Sequence, residues 1–141
     1  MTTNTLQSVP TPVHAAHFSM RLLRIPISYT DGATTNYVIG TIPAGSIVIR
    51  GTVVVTTAFN WGTNNLIDIG TAADPDGFAT IMSLTTIGNI VFDEMATTND
   101  QYVTADTILY AQMQCTGVAA TTGAGWVLVE YSENLGTTAN A

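Results

Sequence analysis

Residues 70–78, GTAADPDGF, place Asp74 and Asp76 either side of Pro75 and follow them with Gly77, between two apolar runs. Carboxylates spaced two apart beside a glycine are the start of a calcium loop, and paired acids also serve glycoside hydrolysis. A calcium hand of the form D-x-[DN]-x-[DN]-G needs further ligands and a closing glutamate about five residues past the glycine. Met82 stands at that position. The tetrad DPDG therefore reads as a turn, in which proline presets φ and the aspartates bond nearby amides. Asp74 and Asp76, helped by Asp68 or a neighbouring subunit, remain weak calcium candidates, and no cofactor is expected.

Other reactive side chains are scattered. Asp93 and Glu94 are adjacent, so in a strand they point to opposite faces. Glu130, in WVLVEYSE, alternates with Val129 and Tyr131 and is expected to face solvent or to pair with an arginine. Both histidines, His14 and His17, lie in the polar N-terminal stretch and are expected to pack or be solvated. There is no G-x-S-x-G, H-E-x-x-H or Walker loop. With neither lysine nor a core histidine, a general base near neutral pH is hard to position, so no enzyme and no catalytic residue is expected. Cys115 is the one cysteine, sits in the alternating run TILYAQMQCTG, and is expected to pack as a small apolar residue. Trp61 in FNWGTNN, beside Asn60, Asn64 and Asn65, is a weak candidate platform for a glycan. A tryptophan in a turn also caps a core or fills an interface.

The chain around these residues is 141 residues long, 46% hydrophobic and only 9% charged. That length suits one domain with a core that needs no disulfide. Arg21, Arg24 and Arg50 are the only basic residues against ten acids, giving a net charge of −7. Such a chain cannot neutralise a run of phosphates, so neither nucleic acid nor an acidic membrane is an expected partner. The N-terminus lacks the basic and apolar regions of a secretory signal, and no run of 18 apolar residues occurs.

Residues 1–17, with Pro10 and Pro12, show no periodicity and are expected to form an extended arm that reaches a partner. From Phe18 the pattern is all-β: about eight short runs broken by Gly, Asn, Asp and Pro, forming one antiparallel β-sandwich over residues 18–133, with 134–141 as a flexible tail. In FSMRLLRIPIS, Leu23, Ile25 and Ile27 share one face and Leu22, Arg24 and Pro26 the other, and Pro26 points to a sheet edge. In AGSIVIRGTVVVTTAF the core face is expected to hold Ile47, Ile49, Val53, Val55 and Phe59, with Val48, Arg50, Thr52 and Val54 outward. Gly51 is expected to mark a bulge or bend that passes the strand between sheets. Leu109, Ala111, Met113 and Cys115 form another core face, and Val127, Val129 and Tyr131 a third. Eight strands without the Cys…Trp…Cys pattern favour a jelly roll over an immunoglobulin-type sandwich.

The outward residues Val48, Val54, Trp126 and Leu128 are unusually apolar for a lone monomer. They are expected to meet other copies or another protein, or else to form a second core under long loops.

Taken together, IPAGSIVIRGTVVVTTAF, NLIDIGTAADPDGF and YVTADTILYAQMQCTG…GWVLVEYSE resemble small structural proteins of tailed bacteriophages, over about residues 37–132. The resemblance implies a jelly-roll-like virion component: a capsid decoration or cement protein, trimeric, on the outer surface of the head, where it ties major capsid protein subunits together. It carries over no catalytic or cofactor residue. Head-fibre, tail accessory and receptor-binding (glycan-binding) modules of phage look similar and form the alternative reading.

Overall fold

The computed structural model describes residues 18–32, 36–95 and 101–134. The expected arm, with Pro10, Pro12, His14 and His17, and the tail beyond Asn134 lie outside the described residues. Eight strands follow in order: β1 Phe18–Ser28, β2 Tyr37–Ile42, β3 Ile47–Thr57, β4 Asn64–Gly70, β5 Ala79–Ser83, β6 Gly88–Val91, β7 Thr107–Thr116 and β8 Ala124–Asn134. A single 3-10 turn, Tyr29–Asp31, is the only helical piece among the described residues. Ser28 caps it, its hydroxyl accepting from the Thr30 amide while its own N–H donates to Asp31 at 2.7 Å.

The strands form two four-stranded sheets, ordered β1-β8-β3-β6 and β2-β7-β4-β5, with every pairing antiparallel. First pairs with last, second with seventh, third with sixth and fourth with fifth. A long hairpin of four strand pairs has been rolled until β3 meets β8 and β4 meets β7, which is the double Greek key of a jelly roll. Pro26 sits on β1, an edge strand, as a missing amide donor requires.

This topology sorts the connections into two ends. The β2–β3, β4–β5 and β6–β7 connections share one end and are tied together by Gly45 N–H to Val103 O (2.7 Å), Val48 N–H to Gln101 O (2.7 Å) and Glu94 N–H to Phe78 O (3.2 Å). The β1–β2, β3–β4, β5–β6 and β7–β8 connections share the other, joined by Tyr29 N–H to Gly123 O (2.9 Å) and Phe59 N–H to Leu84 O (3.0 Å). In the first end, Pro43 to Ser46 form a type II turn: Ser46 N–H donates to Pro43 O, and Gly45 takes the required left-handed φ of 83°.

The core lies between the sheets. Ile27, Val53, Val55, Val127, Val129 and Tyr131 come from one, and Ile39, Ile67, Ile69, Leu109, Ala111, Met113 and Cys115 from the other. The faces expected for β1, β7 and β8 are the observed ones. Strand β3 differs. Val48 is fully buried, whereas Ile47 and Ile49 are 40% and 42% exposed. The register with β8 slips between Val48 and Arg50, so Ile49 is an extra residue and strand parity inverts across it. The bulge expected near Gly51 exists, but it does not transfer the strand: β3 pairs with β8 on both sides of it. Gly51 is needed for a different reason, because a Cβ there would fall inside the ring of buried Phe92.

A second irregularity lies where β4 slips against β5 between Ile67 and Ile69. Asp68 is buried there, accepting from the Ile81 amide at Oδ1 (2.5 Å) and from Gln114 Nε2 at Oδ2. Ile81 itself has φ 51°, a left-handed conformation that is costly for a β-branched residue, and its side chain is 60% exposed.

Two substitutions separate these constraints. Gly51→Ala overpacks the Phe92 contact and is expected to lower unfolding free energy in urea by about 1–3 kcal/mol. Ile81→Gly relieves about 1–3 kcal/mol of backbone strain while removing little buried area, so stability is expected to hold or rise despite the larger truncation. A marked loss at Ile81→Gly would mean that the side chain, not the backbone, holds β5.

Candidate interaction surface

The carboxylates near the DPDG turn do not converge on a metal site. The Asp74 carbonyl accepts from Thr71 N–H (2.9 Å) and Gly77 N–H (3.1 Å), and Asp74 N–H donates to the Thr71 hydroxyl (3.2 Å). The turn then folds onto Gly70, where a Cβ would strike the Asp74 carbonyl and Pro75. Phe78 follows as one of the largest fully buried side chains, so the turn anchors the chain's return into the core. Asp68 cannot assist Asp74 and Asp76, since both of its oxygens are engaged on the bulge. Among the described residues no three His, Cys, Asp or Glu side chains group to hold a metal.

Trp61 is half-buried against the core. Its ring packs over the backbone of Gly32, where a Cβ would stand 2.6 Å from Nε1. Two of the three neighbouring amides are spent internally: Asn65 accepts from Trp61 N–H (2.7 Å) and donates to Trp61 O (3.0 Å), while Asn60 accepts from the amides of Thr121 and Thr122 and donates to the Thr121 hydroxyl; Asn64 is exposed. The ring caps the core, the role set beside the glycan platform in the sequence reading. Cys115 is buried, and burial pushes its thiol up from the ordinary value, the condition of a packed rather than reactive cysteine.

What the structure does assemble is the outward face of the β1-β8-β3-β6 sheet. Its cross-strand register lines up Pro26, Trp126, Val54 and Asn89 in one row, and Arg24, Leu128, Thr52 and Val91 in the next. Leu22, Glu130 and Arg50 form a third row. Trp126, Leu128 and Val54 are each half-buried by these neighbours, and Arg24 covers Trp126 with its guanidinium 3.9 Å from the ring centroid. Leu22 and Val91 stand 60% and 64% exposed. Arg50 bonds Glu130 at 3.0 Å, as expected for that glutamate, and Arg21 bonds Glu133 at 2.8 Å. Both pairs are exposed and add little to stability. A shallow recess of about 110 Å³ opens between Leu22, Arg50, Thr52, Leu128 and Glu130.

Val54, Trp126 and Leu128 are thus brought together on one face. Val48 is not among them. It lies in the core because of the Ile49 bulge, so it is unavailable to a partner. Met20, Leu22 and Val91 are the members that sequence reasoning did not single out. Leu22 and Met20 were legible from the β1 alternation, but Val91 needed the β3–β6 register.

The face is also electrically distinct. Arg24 and Arg50 lie on it with one of the ten acids, Glu130, while Arg21 and Glu133 pair with each other on the other side of the same sheet. The whole of the chain's net negative charge is therefore carried elsewhere.

No protein-family model and no curated protein matches the sequence. Solved structures do share the fold. A chain of the cyanophage Pam1 capsid asymmetric unit superposes with a TM-score of 0.61 at 15% identity, covering 83% of this chain and 86% of that one. A chain of the acid-stable capsid of Helicobacter pylori bacteriophage KHP30 gives 0.57 at 14% identity, over 80% and 86%. One of the capsid of Ralstonia phage GP4 gives 0.53 at 10% identity, over 82% and 84%. At these identities the likeness is one of fold: the eight-stranded sandwich of this chain is also used by chains of phage capsids.

Proposed function

We propose that this protein is a non-enzymatic structural component of a phage virion, a capsid decoration or cement protein on the outer surface of the head. It binds at junctions between major capsid protein subunits and stabilises the expanded shell. The single observation that carries this reading is the outward face of the β1-β8-β3-β6 sheet, which is apolar, regular and free of excess negative charge. Sharing a fold with chains of phage capsids, and resembling phage virion proteins over residues 37–132, supports the same assignment.

The charge distribution also favours self-association through this face. Copies carrying −7 repel one another wherever their acids meet. Only the arginine-bearing sheet lets two surfaces close without that cost, while Leu22, Leu128, Val54 and Val91 supply apolar area to bury. A homotrimer built on these residues, each copy touching neighbouring capsid subunits, turns modest contacts into a collective resistance to rupture. Half-burial of Trp61 against the core weighs against the glycan-binding alternative.

Two experiments test these statements. Purified protein is expected to co-sediment saturably with expanded heads lacking it and not with unexpanded procapsids; no binding to either would overturn the cement role. Sedimentation equilibrium at micromolar concentration is expected to give the trimer mass. The pair Leu22→Glu and Val91→Glu, both at exposed sites, should weaken the trimer by about 100-fold, the effect of roughly 3 kcal/mol of lost contact and new repulsion. A wild-type monomer at that concentration would sink the trimer.

A further inference from the structure

At the loop end that gathers the β2–β3, β4–β5 and β6–β7 connections, an open cleft of about 450 Å³ lies against the other sheet. Thr71 and Ala73 of the β4–β5 loop form one wall, and Tyr102 and Asp106 of the β6–β7 connection line it as well. Ile108 and Tyr110, from the start of β7, complete the lining. Its size is that of a site for a side chain or a few residues of peptide. Tyr102 is 57% exposed and Ile108 42%, so the apolar and aromatic lining is open to a guest.

Three features together define what that guest would be. The three loops at this end contain no arginine, and of the described acids Asp74, Asp76, Asp93, Glu94 and Asp106 all belong to them. Asp106 is the one charged residue among the described lining, and with the other four acids on the surrounding loops the local field favours a cation. Asp106 is fixed in place, its Oδ1 accepting from the Ala44 amide at 2.9 Å, which leaves Oδ2 to accept from a guest. Two tyrosine rings in the lining offer π faces that favour a planar cation, the partnership this chain already makes between Arg24 and Trp126. Among the described residues no side-chain amide lines the cleft to read the hydroxyls of a neutral sugar, and a sugar would gain nothing from the negative field.

We infer that the cleft between the β4–β5 loop and the start of β7 is a docking site for an arginine presented by a partner protein segment. The guanidinium stacks on tyrosine and donates to Asp106, while the aliphatic stem of the arginine lies along Ile108. The inference stands apart from the capsid reading, because it concerns the opposite sheet and one end of the sandwich, and it holds whether or not the chain sits on a head.

The test is an amide-resolved NMR titration of the full chain with the blocked tripeptide Gly-Arg-Gly. Saturating shifts are expected at Thr71, Ala73, Thr104, Thr107 and Ile108 in the low-millimolar range. The same tripeptide with citrulline, which keeps the shape and lacks the charge, should bind about tenfold more weakly. Tyr102→Ala, at an exposed position, and Asp106→Asn, which keeps an acceptor for Ala44, should each weaken the arginine peptide by about three- to tenfold with the remaining spectrum unchanged. Equal shifts with arginine and citrulline would overturn the inference. So would shifts spread over every acidic loop including Asp31, or cleft shifts with N-acetylglucosamine and none with the arginine peptide. Failure here would leave head binding untouched, and failure of head binding would leave this titration untouched.

Discussion

The pairing of the first strand with the last is the constraint on which the rest of the molecule depends. Eleven consecutive partners, from Phe18 with Asn134 to Ser28 with Ala124, join β1 to β8 without a slip. Once these two are in register, β8 offers its other edge to β3, β2 is brought to β7, and the roll is closed. Most contacts are therefore long-range, and apart from the β4–β5 hairpin folding has to close large loops before strand pairing is rewarded. The same pairing returns β1's start and β8's end to one end of the sandwich, the end that also carries the acidic loops. An arrangement of charge that looks scattered along the chain becomes polarised in space.

Local irregularities then decide which residues each face presents. The alternation of β1, β7 and β8 was readable because nothing interrupts it, and the core and outer residues fall where a period of two places them. Strand β3 was misread for a physical reason. A bulge was expected from Gly51, but parity was carried through it as though no residue had been added. One extra residue at Ile49 exchanges the two faces on its N-terminal side, which is why Val48 is core and Ile47 and Ile49 are exposed. Asp68 and Ile81 were not legible at all, since a buried carboxylate that holds a left-handed isoleucine depends on a slip between strands that no local pattern records.

Polar residues in the turns followed a different logic. Asn60, Asn65 and Asp31 carry side-chain groups that could bind a ligand, and the structure uses them on backbone amides, Asp31 and Asn65 within their own turns and Asn60 on the facing β7–β8 loop. That is the ordinary requirement of a sandwich whose connections must satisfy amides not covered by strands. The turn reading of DPDG was available from proline and glycine alone, whereas the inward packing of Trp61 required Gly32, nearly thirty residues away, to leave room for the ring.

What is left over after this internal accounting is a surface with two chemistries. One sheet face is apolar and holds two of the three arginines, Arg24 and Arg50; the opposite sheet meets a loop end that holds most of the acids and an aromatic cleft. A chain with no lysine cannot protect its exposed strands in the usual way, by spreading positive charge along the edges. Here the protection comes from repulsion between acidic ends, which discourages random contact while leaving the arginine-bearing face as the approach of least electrostatic cost. Contact between copies of such a chain is least costly in few orientations. Repulsion at one end and a low electrostatic cost of approach at one face thus arise from the same uneven placement of thirteen charged side chains.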